Sequence, residues 1–267
     1  MKQAIDFLEE SRQLLNLIQD QAEKDFEIKT QFNNWTINDV IGHLHIFNFA
    51  ANLSLNSFDQ FQKFFSPISK ALNEGVSLLE AQNCWLNGLA GQALLDAWWE
   101  EVQIVSKKFE NADPKLRLKW VGPDMSARSS ITARQMETWA HGQEIFDILG
   151  EARIEDDRIK NIVHLGVSTF SWTFKNRNLE VPTTFPFVEL KSPSGVIWKW
   201  NEPSDQSLIK GLAVDFASVV TQTRNVFDTG LQTKGNDAAR WMEYAQCFAG
   251  PPKNPPRPNT RYTTNLN

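Results

Sequence analysis

The sequence predicts an α plus α+β protein, with a helical bundle over the first two-thirds of the chain and a small α+β domain after it. Three observations carry that prediction. Apolar residues recur at helical spacing in successive segments from residue 3 to about residue 175. The spacing then turns to alternation in FVELKSPSGVIWKW (187–200). Between the two lies a polar, proline-containing stretch, 176–186, with the character of a linker.

Taken in order, Ile5, Leu8, Leu14, Leu15 and Ile18 place the first helix within 3–21. A second runs over 36–55, and Thr36 followed by Asp39 is a capping-box signature that starts it at Thr36. A third covers 58–73, ended near Asn73 and Gly75. The run 91–110 carries Leu94, Leu95, Trp98, Val102, Val105 and Phe109 on one side and is closed by Asp113-Pro114. A long helix spans 126–149, with Gly150 just past its end as a C-terminal cap, and 155–175 supplies one more. These lengths suit a bundle. In the second part, Ser192-Pro193-Ser194-Gly195 sits between alternating runs and predicts a β-hairpin. Residues 206–210 add a strand, 211–222 a helix and 229–234 another strand. Asn236 caps a last helix that Gly250 ends. The tail, with Pro251, Pro252, Pro255, Pro256 and Pro258, is expected to be extended. The expected domains are therefore 1–178, 179–253 and a tail, 254–267.

Composition narrows function by exclusion. Net charge is −5 and no basic stripe is present, which argues against a nucleic-acid binder. No apolar run approaches the roughly 18 residues of a membrane span. The opening MKQAIDFLEE is acidic where a signal peptide is basic and then apolar, so a cytoplasmic protein is the expectation. Cys84 and Cys247 are the two cysteines. Without a C-x-x-C they exclude all-cysteine zinc sites and iron–sulfur clusters, and both are expected to be buried, inert thiols. Ten tryptophans and eighteen phenylalanines suit a large core, a subunit interface that permits a homodimer, and the walls of a pocket.

There are four histidines: His43, His45, His141 and His164. Glu137 and His141 are four apart on a helix and so share a face. That spacing fits an ion pair or two ligands of one metal ion, and the apolar neighbours Met136, Ile145 and Phe146 favour the metal, because a buried Glu–His pair needs strong compensation. His43 and His45 point about 200° apart on a helix, so at most one of them joins such a site. His43, beside Val40, Leu44 and Phe47, is expected to face the bundle, and His45 to sit nearer solvent. Arg134, three residues before Glu137, is a candidate anion-binding residue of the same face.

These residues also carry a resemblance. WTINDVIGHL (35–44) followed by METWAHGQEIFDILG (136–150) resembles the DinB-like, mycothiol-dependent maleylpyruvate isomerase superfamily, in which W-T-x-x-x-V-x-x-H-L lies on one bundle helix and E-x-x-x-H on another. The likeness continues through MSARS (125–129), HLGVSTFSWTFKNRNLE (164–180), DFASVVTQTR (215–224), DTGL (228–231) and WMEYAQCFAGPP (241–252). It is nearest to an uncharacterised metal-binding branch. The resemblance implies a DinB-like four-helix bundle with a small C-terminal α+β domain. It implies His43, Glu137 and His141 as metal ligands, with a water in the fourth position. Two imidazoles and a carboxylate suit zinc, with iron or nickel as alternatives. It further implies that Arg224 completes the active site, although Thr223 stands where relatives have glycine, and it leaves His164 a structural or supporting part.

The expected function is a metal-dependent enzyme acting on a small carboxylated or acyl substrate, a thiol-linked isomerase or transferase of the maleylpyruvate isomerase type. Its expected cofactors are a divalent metal and a low-molecular-weight thiol. The alternatives are a metal-hydroxide hydrolase or lyase, or a non-catalytic metal-containing ligand-binding protein. No nucleic acid or membrane partner is expected.

Overall fold

The bundle is assembled from four helices, α1 (Lys2–Ile18), α2 (Ile37–Asn56), α5 (Gly91–Asn111) and α6 (Ala127–Ile148), in a computed structural model that describes residues 1–264. Helix α1 packs on α5 and α6, and α2 packs on the same two. The start of α2 is fixed locally. Thr36 Oγ1 accepts from the Asp39 amide (3.1 Å), while Asp39 Oδ2 accepts from the Thr36 amide (2.8 Å). This reciprocal capping box sets the rotational phase of everything α2 presents downstream. Helix α6 has no solvent face of ordinary width, since fifteen of its 22 residues are buried, Arg134, Gln135 and Thr138 among them. Polar groups enclosed in this way need partners or a function.

Two further helices, α3 (Phe58–Asn73) and α4 (Leu78–Leu86), lie against α2. Helix α4 is absent from the sequence expectations. Gly42 makes its approach possible, because a Cβ there would lie 2.7 Å from Leu86 Cδ1 and 2.8 Å from Gln82 Nε2. A two-residue-per-strand hairpin, β1 (Arg117–Leu118) with β2 (Met125–Ser126), joins α5 to α6.

The chain divides into two compact units after Ile148, earlier than the expected boundary after 178. The reason is the packing of α7 (Lys160–Ser168), which belongs with α9 (Ala213–Val220). A Cβ on Gly166 would stand 2.7 Å from Val220 Cγ2 and 3.0 Å from Phe216 Cε1, so the two helices meet at the glycine. The expected helix 155–175 is a short 3₁₀ turn, then α7, then α8 (Phe170–Lys175). The sheet of this unit has the order β4-β3-β5-β6. Strands β3 (Phe187–Lys191) and β4 (Ile197–Trp200) form the expected hairpin, β5 (Leu208–Leu212) runs parallel to β3, and β6 (Gln232–Lys234) is antiparallel to β5. Phe170, Phe216 and Trp241 make its aromatic core, with Trp241 edge-on to both rings.

The last helix, α10, spans Asn236–Tyr244. Asn236 is its first residue, not its cap, which is Gly235 at φ 86°. It ends well before Gly250 because long-range bonds take over: the Cys247 amide donates to Val220 O, and Gln222 Nε2 donates to Ala245 O. The proline-rich tail runs without helix or strand and is tied to the second unit by Gln222 Nε2 to Lys253 O and Asn225 Nδ2 to Pro256 O. Residues 265–267 of that expected segment lie outside the described residues. Cys247 is buried as expected, whereas Cys84 is exposed, being on the outer side of α4. No described helix is long and apolar enough to cross a membrane.

Candidate metal centre

Helices α2 and α6 bring His43, Glu137 and His141 together inside the first unit. Glu137 Oε2 lies 3.3 Å from His141 Nε2 and 3.6 Å from His43 Nε2, and one ligand atom from each of the three falls within 4.8 Å of the others. Around a tetrahedral ion with bonds of about 2.0–2.1 Å, neighbouring ligand atoms stand about 3.3–3.4 Å apart. The Glu137–His141 separation matches that edge, and the Glu137–His43 separation is slightly longer. The longer one exceeds a useful hydrogen bond, so convergence of both Nε2 atoms on one oxygen is better suited to a shared cation than to two direct bonds. A set of two imidazoles and one carboxylate leaves room for a further ligand, the pattern of catalytic rather than structural sites.

The electrostatics favour the cation-binding forms of Glu137 and His43. Burial pushes the Glu137 carboxyl up, but His141, His43 and Arg134 together outweigh it and hold the group well below the ordinary carboxylate range. Burial lowers His43 from 6.5 to about 4 despite the pull of Glu137, so its ring is neutral near pH 7. A deprotonated carboxylate and a neutral imidazole are the forms that bind a cation.

An aromatic wall surrounds the three. Trp35 stacks on His141 (centroids 6.1 Å apart, planes 9°) and lies 5.4 Å from His43. Phe32 meets His141 edge-on at 5.1 Å, and Phe47 lies 4.8 Å from His43. Sequence reasoning did not assign these rings. The signal available was Trp35 immediately before the Thr36 cap, about two helical turns before His43.

The remaining candidates fall as follows. His45 points the other way, with its ring 5.2 Å from Trp85 of α4, and at 9% exposure it is buried, not nearer solvent as expected, because α4 covers that side. Arg134 is beside the triad, its Nη2 4.0 Å from Glu137 Oε1. His164 accepts a hydrogen bond from Trp200 Nε1 (3.3 Å) at the exterior of the second unit, a structural contact. Arg224 is half-buried in the second unit and lines an open cleft with Phe227, Asp228, Asn259, Arg261 and Tyr262. The threonine before it does no harm to the backbone. The left-handed residue after α9 is Gln222 (φ 60°), and Thr223 needs no glycine-only conformation.

Residues 7–146 match the family model of the mycothiol maleylpyruvate isomerase N-terminal domain. Two uncharacterized proteins of Mycobacterium tuberculosis, from strains CDC 1551 / Oshkosh and ATCC 25618 / H37Rv, are each 34% identical over 218 residues, covering 82% of this chain and 84% of theirs. Crystal structures of the mycothiol-dependent maleylpyruvate isomerase and of a histidine-to-alanine mutant of it superpose with TM-scores of 0.55 and 0.56. Both are 13% identical and span 87% of this chain and 91% of theirs, a likeness of fold. With the family model spanning more than half of its length, this chain belongs to the mycothiol maleylpyruvate isomerase N-terminal domain family.

Proposed function

We propose that the chain is a metal-dependent enzyme that uses a low-molecular-weight thiol to isomerise, or transfer to, a small carboxylated or acyl substrate. The observation that carries this reading is the convergence of His43 and His141 Nε2 on Glu137 Oε2, at 3.6 and 3.3 Å, inside an aromatic wall. His43 and His141 offer two imidazole nitrogens and Glu137 a carboxylate oxygen, and zinc is the metal this donor set suits best. A divalent ion held there supplies thiol or water activation near neutral pH and a template for the substrate.

The chain's own contribution is positional. The capping box at Thr36 and Asp39 fixes the phase of α2, so His43 faces α6 while His45 does not. Trp35, Phe32 and Phe47 keep bulk water from the imidazoles, which strengthens every charge interaction within the site. In an isomerisation, the thiolate adds to one carbon of a conjugated cis double bond, the resulting single bond rotates, and the thiolate leaves as the trans double bond forms. The thiol is regenerated and no oxidant is consumed. Arg224 is proposed as an anion-binding residue, its planar guanidinium suited to a carboxylate.

The test is conversion of maleylpyruvate by zinc-loaded protein with and without mycothiol. We expect conversion to the trans isomer only with thiol and metal together, lost in Glu137→Gln and strongly reduced in Arg224→Lys at unchanged metal content. Conversion that proceeds equally without thiol contradicts the thiol-linked reading.

A further inference from the structure

Arg134 is the least satisfied charged group of the first unit. It is 4% exposed, and its Nε and Nη1 are buried without a hydrogen-bond partner. Its nearest anion, Glu137 Oε1, stands 4.0 Å from Nη2, beyond hydrogen-bond reach. Two rings flank the guanidinium instead, Trp120 at 5.0 Å and Phe47 at 5.6 Å. Cation–π contacts offset part of the cost of burying a charge, but they leave the in-plane N–H donors unmet, each an expensive omission. The charge balance points the same way. Glu137 and Arg134 carry opposite charges, so a divalent ion held by the triad would leave this buried cluster two positive charges in excess. A ligand with two anionic groups neutralises it.

The cover over Arg134 is a single indole carried by a loop. Trp120 belongs to the β1–β2 connection, whose residues 121–124 are all exposed, and it rests on Phe61 and Phe47 by ring contacts alone (5.9 and 6.2 Å). Its neighbour Lys119 anchors the loop on either side of the ring, through Ser54 Oγ to Lys119 O and Lys119 Nζ to Asp124.

We propose that Arg134 is an anion subsite beside the metal triad, gated by Trp120, whose unmet guanidinium N–H donors take the carboxylate of a ligand that places a second anionic group, such as a thiolate, at the metal. This rests on the triad reading above.

The experiment titrates cobalt-substituted full-length protein with mercaptoacetate and with its neutral methyl ester, reading the sulfur-to-cobalt charge-transfer absorption. The expected result is a preference for mercaptoacetate in the wild type that falls by about tenfold or more in Arg134→Gln, the worth of one charge-assisted hydrogen bond, while ester binding stays the same. Comparing the two proteins cancels the different acidities of the two thiols. Arg134→Lys, which keeps the charge without the fork, retains part of the preference. Trp120→Ala speeds mercaptoacetate association and keeps the preference. Absorption from both thiols with an unchanged preference in Arg134→Gln overturns the subsite and leaves the triad standing. Cobalt lost from both Arg134 variants makes Arg134 a support for Glu137 and overturns the subsite. No absorption from either thiol with wild type overturns the triad reading and the subsite with it. An association rate unchanged in Trp120→Ala overturns the gate.

Discussion

His45 turns the burial of the α2 face opposite the triad into an acid sensitivity that can be measured. The ring packs against Trp85, its Nδ1 has no partner within the protein, and burial lowers its pKa from 6.5 to about 4. In the folded chain His45 therefore stays neutral until about pH 4, whereas in the unfolded chain it takes up a proton near 6.5. Between those values the unfolded state binds more protons, so stability rises with pH. The contribution of a neutral His45 is fully present above 6.5 and is lost as the pH falls toward 4. Full loss amounts to about 3 kcal/mol, at about 1.4 kcal/mol per pH unit, and about 2 kcal/mol has gone by pH 5. The assay is urea unfolding of chelated protein at pH 8 and pH 5, followed by helical circular dichroism, for wild type and His45→Gln. Wild type should lose about 2 kcal/mol more than the variant between the two conditions. His43, also lowered to about 4, is common to both proteins and drops out of the difference. Parallel pH profiles would refute the argument that an uncharged, buried His45 underlies the sensitivity.

Two further outcomes follow from local geometry. Thr36→Ala removes the side-chain acceptor of the α2 capping box and should cost about 1 kcal/mol in unfolding free energy, with metal affinity reduced because α2 frays toward His43; unchanged stability would show that the box is not what fixes the helix start. Gly166→Ala forces a methyl group to 2.7 Å from Val220 Cγ2 and should destabilise the second unit by about 1–3 kcal/mol, read as lost amide protection in α7 and α9. Metal content of that variant should be normal, and a loss of metal would contradict the assignment of the site to the first unit alone.

Most of the fold was legible because its determinants are local. The Thr36–Asp39 box, Gly150 beyond α6 (φ 69°) and the Ser192–Gly195 turn are each specified by residues within four positions of one another. Helix α4 was also locally encoded, by the Ser77–Glu80 capping box, a signal left unread in a short segment with weak periodicity. What could not be read was tertiary. The end of α10 is set by Val220 and Gln222, and the unit boundary by the meeting of Gly166 with Phe216 and Val220. The same division applies to the site. Glu137 and His141 share a helix face by spacing, and the opposition of His43 and His45 follows from helical phase. The rings that wall the triad, Phe32, Trp35 and Phe47, and the Trp120 that covers Arg134 come from separate segments that only packing unites.

Metal content tests the central claim most directly. Elemental analysis of purified wild-type protein should find about one divalent metal ion per chain. His43→Ala and Glu137→Ala should each lose most of it, because each removes one of only three ligands. His45→Ala, whose ring lies on the far side of α2 against Trp85, should keep it. Full metal content in both ligand variants, or a loss in His45→Ala equal to that in His43→Ala, would contradict the account.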